Sequence, residues 1–498
     1  MRSAWIELGI ELKEQYTMHT QLAVLGGGPG GYAAAFLAAD LGMDVTLIEA
    51  DPKLGGTCLL RGCIPSKALL HVAKAIAEAR HMKEWGVSFD SPVIDINAVR
   101  ARKQKVIDTL TGGLSQLAKK RNVRVVQARG FFEASNRMRL DPIEGGDPIL
   151  WNCITYDHCV IAAGSRPAMP GMFDIGSDRV MDSTGALELK DIPGSLLVIG
   201  GGYIGLEMAT VYCELGSEVD VVELTDGLLP GADRDLVKPL EKRIRKSMRD
   251  VFLNTKVEKL EVKGEQVIAS FDGPDGKRQM TYDRVLVSVG RRPNSDKLGL
   301  ENTQVKIDDR GFIVVDVKQR TADEHLLAIG DIAGDPMLAH KASHEGRAAV
   351  EALAGEPAAF QPAAIPAVVF TDPEIAWCGI SEAEAKKQRL NIEVSTYPWA
   401  ASGRAQAVGR TEGITKMIID AGSQRVLGVG ICGPGAGEMI AESVLAIEMG
   451  ATVRDIAETI HPHPTMSETV GFSADASLGT ATEIYRPKRA PKAKSAAV

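Results

Sequence analysis

No uninterrupted apolar run in the 498 residues reaches bilayer-spanning length, so no membrane-spanning helix is expected. An excess of positive charge is missing too. The formal net charge is −8, which removes any general electrostatic case for nucleic acid as a partner. Cysteine is sparse: seven residues, an odd number scattered over a long chain, do not make the framework of a secreted disulfide scaffold. The N-terminus carries Glu7, Glu11 and Glu14 and no long apolar core, which excludes a signal or typical transit peptide. These absences point to a cytoplasmic protein of a reducing compartment.

What the chain does have is length and glycine. A single core does not serve 498 residues, and about two to four domains are expected. Hydrophobic residues make up 45% and charged residues 24%, as in an ordinary soluble globular protein. The 51 glycines exceed the usual share and suit several nucleotide-binding loops.

Residues 22–50 read LAVLGGGPGGYAAAFLAADLGMDVTLIEA. A buried strand at Leu22 to Leu25 runs into Gly26, Gly28 and Gly31, then an Ala-rich helix, then a strand from Val45 to Ile48 closed by Glu49. This is the whole strand–helix–strand setting that a dinucleotide fingerprint requires. The glycines let backbone approach a diphosphate at the helix N-terminus, and Glu49 can accept hydrogen bonds from a ribose. Residues 196–224 repeat the pattern at a constant offset of 174: Gly200, Gly202, Gly205 and Glu223 match Gly26, Gly28, Gly31 and Glu49. Two such units imply two nucleotides, with electrons passing between them. Glu223 suits free ribose hydroxyls, and no Arg follows closely to hold a 2′-phosphate, which favours NAD over NADP.

Between these units lies Gly55-Gly56-Thr57-Cys58-Leu59-Leu60-Arg61-Gly62-Cys63-Ile64-Pro65-Ser66-Lys67. On a regular helix, residues five apart are separated by about 7.5 Å along the axis, and a disulfide needs Cα atoms within roughly 7 Å. Bridging Cys58 and Cys63 therefore requires a distorted turn, which Gly62 and Pro65 permit. So small a loop would restrict the unfolded chain little, so redox chemistry explains a bridge better than stapling. Spacing alone fits two unrelated buried cysteines equally well.

Helices are expected over 68–86 and 97–120, short strands over 123–140, and a strand at Cys159 to Ala163 closing the first unit at Gly164. Residues 251–289 alternate as strands around a turn at Asp272 to Gly276, and Leu326 to Ile329 leads to Gly330-Asp331. Asp331 suits either a sugar or ribityl hydroxyl or a helix N-cap. Residues 363–485 lack a fingerprint and read as a separate α+β domain carrying His461-Pro462-His463-Pro464-Thr465-Met466-Ser467-Glu468. Histidine is the natural acid–base group near neutral pH, and Glu468 can orient it. From Arg486 the tail is basic, with Lys488, Arg489, Lys492 and Lys494, and reads as disordered.

Together, GGTCLLRGCIPSKALL (55–70), IAAGSRP (161–167), GGGYIGLE (200–207), LVSVGRRPN (286–294), AIGDIAG (328–334), LAHKA (338–342), IPAVVFTDPEIAWCG (365–379) and HPHPTMSE (461–468) resemble the dihydrolipoamide-oxidising members of the pyridine nucleotide–disulfide oxidoreductase family. The resemblance covers about residues 20–487. It implies an α/β fold with two Rossmann-like dinucleotide-binding domains and a C-terminal α+β dimerisation domain, working as a homodimer. The boundaries expected are 1–19 as an extension, 20–165 and 293–362 as the two parts of the FAD-binding and central region, 166–292 for NAD, 363–485 for the interface, and 486–498 for the tail. Met18 precedes the first strand, so 1–17 reads as an optional or artefactual extension.

The same resemblance implies that a Cys58–Cys63 disulfide is redox-active, with Cys58 exchanging with substrate and Cys63 against the flavin. His463, with Glu468, acts across the dimer. FAD contacts map to Gly26, Gly28, Gly31, Glu49, Gly56, Thr57, Lys67, Gly130, Ala163, Gly164, Asp331 and Ala339. NAD contacts map to Gly200, Gly202, Gly205, Glu207, Glu223, Val257 and Gly290; Glu207 is also the expected ionic partner of Lys67. No metal is implied. With no lipoyl module at the N-terminus, lipoyl groups are expected on partner subunits of 2-oxoacid dehydrogenase or glycine-cleavage complexes. Related disulfide or metal reductases are the rival reading. Glu223 disfavours an NADP-linked glutathione reductase, and Ser495-Ala496-Ala497-Val498 lacks the cysteine pair of a mercuric reductase. One departure stands out: Leu60-Arg61 replaces the common Asn-Val, and an Arg beside the dithiol would lower a thiol pKa.

Overall fold

The computed structural model describes residues 16–485. The expected extension over residues 1–15 and the basic tail 486–498 lie outside the described residues. The first strand is Thr17–Leu25, starting before Leu22 and inside the range given to the extension. Alternating exposure over Thr17 to Gln21 hid it from a reading tuned to buried runs, but it pairs with Cys153–Ile161 from Thr17 onward.

The first unit is a six-stranded mixed sheet: Arg124–Ala134, Val45–Glu49, Thr17–Leu25, Cys153–Ile161 and Leu326–Ala328 run parallel in that order, and Arg137–Pro142 pairs antiparallel with both Arg124–Ala134 and Cys153–Ile161. Its central strands are buried: Ala23, Val24, Leu47 and Val160 are at 0% exposure, as in sheets covered on both faces. The last strand arrives after a long excursion, so the unit is discontinuous in sequence. Exit and return run side by side as the antiparallel pair Ser165–Pro167 and Arg291–Pro293. Helix Pro29–Asp40 lies against helix Ala339–Leu353. A Cβ on Gly346 would sit 2.8 Å from the Gly30 carbonyl oxygen, so their backbones approach closely only because both positions are bare.

The excursion builds the second unit, a five-stranded parallel sheet ordered Asp250–Phe252, Glu218–Val222, Ser195–Ile199, Arg284–Val287 and Val180–Met181. An antiparallel meander, Lys256–Lys263, Gln266–Gly273 and Gly276–Tyr282, packs beside it. Its second turn falls at Pro274-Asp275, where Gly273 pairs with Gly276, at the site the turn residues marked. The C-terminal unit is an antiparallel sheet ordered Ala367–Val369, Ile375–Gly379, Val426–Cys432, Ile414–Asp420 and Ile392–Pro398. Helices Ala436–Glu448 and Glu468–Leu478 pack on it.

A charge cluster centred on a buried lysine ties the C-terminal unit to the second. Lys416, its side chain 1% exposed, places Nζ 2.7 Å from Asp233, 2.7 Å from Asp235 and 2.8 Å from Glu382. The three carboxylates converge closely enough to hold a cation, and the ammonium occupies that position. Burial would depress the Lys416 pKa, but the three carboxylates outweigh it and raise it. Lys416→Met should therefore leave three like charges uncompensated. It should destabilise the protein by about 2–4 kcal/mol, read as a fall in the thermal unfolding temperature at neutral pH that shrinks as pH approaches the carboxylate range. An unchanged transition would show that the cluster contributes nothing net.

Candidate active site

A cavity of about 700 Å³ runs from the first fingerprint loop to the two cysteines. Gly26 has φ +109°, and a Cβ there would meet the Ala162 carbonyl oxygen at 2.3 Å, so strand becomes helix without a side chain. The helix N-cap is Gly28, which offers no side-chain cap. The first amides of the helix therefore remain for an anion. Gly56 closes the cradle: its Cβ would sit 2.6 Å from Gly28 Cα. Glu49 ends the second strand with Oε2 accepting the Gly27 amide at 2.6 Å and Oε1 the Asp51 amide at 2.8 Å. Each oxygen keeps a lone pair for a ribose hydroxyl. Burial lifts the Glu49 pKa, and the two amides pull against that. Of the expected FAD contacts, Gly26, Gly28, Glu49, Gly56, Thr57, Lys67, Gly130, Ala163, Gly164, Asp331 and Ala339 all line this cavity. Gly31 does not; its Cβ would fall 1.8 Å from the Gly26 carbonyl oxygen, so it serves strand–helix packing.

The cysteines lie on two consecutive helices, Gly56–Arg61 and Cys63–His81. The break is Gly62, where a Cβ would come 2.8 Å from the Thr57 carbonyl oxygen and 3.3 Å from Cys58 Cα. Both cysteines are thiols facing the cavity, close enough to share a hydrogen bond. That bond, burial and the Cys63 charge push the Cys58 pKa up. The same bond and Lys67 bring Cys63 down to about 7, against burial. Lys67 thus acts on Cys63 in the direction of the thiolate.

Lys67 follows Cys63 by one helical turn and pairs with Glu207 at 2.8 Å. Glu207 also accepts from Ser66 Oγ at 2.8 Å and from the Phe370 amide at 3.1 Å. Its carboxylate faces the first cavity, although its helix, Tyr203–Leu215, opens the second fingerprint. The expected NAD contact is thereby placed on the cysteine side.

At the far wall, Asp331 stands in the turn Gly330–Ile332, with no capping hydrogen bond from its side chain. It accepts from Ser165 Oγ at 2.5 Å, and Arg291 Nε donates to the same hydroxyl at 2.8 Å. The turn is held by Glu345, which accepts the Gly330 amide at 2.7 Å and pairs with Lys341 at 2.7 Å. Sequence reading missed Tyr203, Ser165 and Arg291, which also line the cavity. The signal was their position directly after fingerprint or strand-exit motifs.

The second unit repeats the first down to individual hydrogen bonds. Gly200 has φ +108°, and the Gly201 amide donates to Glu223 Oε2 at 2.7 Å. The Thr225 amide donates to Oε1 at 2.8 Å, and N-cap Gly202 again leaves the helix uncapped by a side chain. Gly290 ends the neighbouring strand with φ +117°. The Val257 side chain is 4% exposed within the core, so it has only main chain to offer a dinucleotide.

The two histidines of the C-terminal motif differ. His461 Nδ1 meets the Thr459 carbonyl at 2.9 Å and Nε2 meets Glu442 at 2.8 Å. Both partners accept, so both nitrogens carry protons, and the Glu442 hydrogen bond raises the His461 pKa. His463 Nδ1 donates to Glu468 Oε1 at 2.8 Å, while Glu468 Oε2 accepts the Thr465 amide at 2.7 Å. The tautomer this selects leaves Nε2 as a base, on a side chain 78% exposed. Neither His463 nor Glu468 lines the cysteine cavity of this protomer.

The pyridine nucleotide-disulphide oxidoreductase family model matches residues 20–346, and the dimerisation-domain model of the same family matches 365–474. A dihydrolipoyl dehydrogenase of Vibrio cholerae is 49% identical over 473 residues, covering 95% of this chain and 98% of that protein. One from Haemophilus influenzae is 46% identical with the same coverage. Among solved structures, the Cu(II) complex of the HOCl-induced flavoprotein disulfide reductase RclA from Escherichia coli superposes with a TM-score of 0.82 at 29% identity, covering 93% of this chain and 99% of that one. LpdA from Mycobacterium tuberculosis gives 0.83 at 26%, covering 91% and 99%. The chain belongs to the pyridine nucleotide-disulphide oxidoreductases and carries their dimerisation domain.

Because Lys67 favours the Cys63 thiolate and burial opposes it, Lys67→Met should raise the Cys63 pKa from about 7 by roughly one unit. Alkylation of the reduced protein reads this directly. The native rate should climb with pH through about 7 and level off above, with the variant's midpoint displaced upward. A coincident midpoint would exclude Lys67 as the source.

Proposed function

We propose that this family member oxidises protein-bound dihydrolipoamide to lipoamide through Cys58 and Cys63, with FAD and NAD as cofactors. One observation carries the reading. A close thiol pair opens onto a cavity built by one of two dinucleotide units, in a chain collinear with dihydrolipoyl dehydrogenases over nearly its whole length.

The cavity suits FAD: bare glycine backbone and free helix amides for a diphosphate, Glu49 for a ribose, and Asp331 at the other end. Gly56, Thr57, Gly130, Ala163, Gly164 and Ala339 complete its walls. FAD held there would supply two-electron transfer between the enzyme dithiol and NAD. Gly200, Gly202, Gly205 and Glu223 would hold NAD: Glu223 Oε2 accepts only the Gly201 amide and keeps a lone pair for a ribose hydroxyl, and the carboxylate would repel a 2′-phosphate.

The residues divide the remaining work. The partner subunit's His463 removes a proton from a dihydrolipoamide thiol through Nε2, with Glu468 holding the ring. The substrate thiolate attacks Cys58 Sγ of the Cys58–Cys63 disulfide, and Cys63 leaves as a thiolate. The second substrate thiol displaces Cys58 from the mixed disulfide, giving lipoamide and the enzyme dithiol. Cys63 suits the leaving role, because Lys67 stabilises the charge it acquires. The lipoyl groups come from subunits of a 2-oxoacid dehydrogenase or glycine-cleavage complex, and the working unit is a homodimer. Among the described residues no helix is long and apolar enough to cross a membrane.

The purified protein should be yellow and should reduce NAD, not NADP, with dihydrolipoamide. Cys58→Ser should abolish that turnover with flavin retained. His463→Gln should cost at least about 100-fold, the usual share of a general base. A yellow protein inert to dihydrolipoamide but oxidising NADH or NADPH with another disulfide would refute the substrate.

A further inference from the structure

Arg61 occupies the position where the sequence departs from the common family pattern, and placement beside the dithiol suggests a residue that tunes a thiol. Its side chain runs elsewhere. The guanidinium pairs with the Asp51 carboxylate, while the cation acting on both Cys58 and Cys63 is Lys67. Asp51 lies just past the strand Val45–Glu49, and its amide is the one that donates to Glu49. Arg61 and Asp51 both line the cavity, with side chains 38% and 22% exposed. Their ion pair therefore joins two separate lips of the cavity: the strand end that presents Glu49, and the short helix that begins at the glycine cradle. The second unit has no such link. There Thr225 takes the place of Asp51, and its hydroxyl folds back onto Glu223 at 2.8 Å.

We propose that the Arg61–Asp51 pair is a strap across the nucleotide end of the first cavity, and that Arg61 is a positioning residue that retains FAD. Asp51 alone would repel a diphosphate. Arg61 neutralises it, fixes the lip, and keeps guanidinium N–H donors for a phosphate oxygen. The inference rests on FAD as the occupant of this cavity.

The test uses the holoenzyme and three variants, Arg61→Val, Asp51→Asn and the double change. FAD release on dilution is followed by recovery of flavin fluorescence, and the Cys63 thiolate is titrated in the reduced protein. Arg61→Val should release FAD roughly three- to tenfold faster, the range for a partly exposed charge pair with a ligand at stake. The double variant should be no faster than Arg61→Val, since the two residues act as one unit. The thiolate midpoint should not move. Arg61→Lys should fall between native and Val, and serves if the Val variant folds poorly. A displaced thiolate midpoint with unchanged FAD release would overturn the strap and make Arg61 a dithiol tuner. No change in either would reduce the pair to a surface contact. A native protein isolated without flavin would refute the cofactor reading itself, a separate failure.

Discussion

The carboxylate of Glu207 is the point on which the arrangement turns. Its side chain is 4% exposed, and a charge so buried persists only if every lone pair has a partner. Its partners come from two different parts of the chain. Ser66 and Lys67 belong to the helix that begins at Cys63, and the Phe370 amide to the segment entering the C-terminal sheet. Glu207 itself belongs to the second fingerprint helix. One carboxylate thus holds three units in register around the thiols. The Phe370 ring lies 4.4 Å from Lys67 Nζ, which confines the ammonium between Glu207 and Cys63. Fold and thiol chemistry are coupled through this residue: the ion pair that joins the units also sets how much positive charge the dithiol feels.

The duplicated units show how far a shared local constraint carries and where it stops. Both need a strand to turn into a helix against a neighbouring carbonyl, so Gly26 and Gly200 adopt nearly the same φ. Both need the acidic residue buttressed from the loop, so Gly27 and Gly201 donate to Glu49 and Glu223. Divergence begins where the surroundings differ. Ala33 in the first unit corresponds to Glu207 in the second, and Asp51 to Thr225. The first unit packs its helix on Ala339–Leu353. The second reaches across to the cysteine helix, where a carboxylate is required.

This explains what was legible in the chain beforehand. Glycines at fingerprint spacing, the strand-end acids and the break at Gly62 are dictated within about thirty residues, and local pattern finds them. The direction of a long side chain is decided by residues far away. Glu207 reads locally as part of the NAD motif; the family resemblance alone joined it to Lys67, 140 positions off, and its bond to the Phe370 amide, 163 positions off, had no signal. Arg61 reads as a neighbour of the thiols, yet Asp51 captures it. Lys416 looks like an ordinary strand residue, and nothing in its neighbourhood announces three carboxylates from two other segments. The start of the first strand was missed for a different reason: its exposed edge alternates polar and apolar residues, the weakest signal a strand gives when its partner lies more than a hundred residues away.

The histidine pair carries the same lesson into chemistry. Two histidines two positions apart look interchangeable in sequence, but hydrogen-bond bookkeeping separates them. His461 is bonded to acceptors at both nitrogens and is 10% exposed in its side chain, so it has no lone pair to offer. His463 has one nitrogen committed to Glu468 and stands 78% exposed. A base so exposed would be fully hydrated and poorly directed in a lone protomer. The same domain carries apolar surface that water does not favour: Leu445, Met449 and Ile460 are 63%, 76% and 95% exposed within or beside helices of the dimerisation domain. Covering that surface with a second copy would desolvate the histidine and bring it toward thiols on the other chain. On the proposed homodimer the 400 positions between Cys63 and His463 would cease to be a difficulty, because symmetry would supply a proximity that folding within one chain does not.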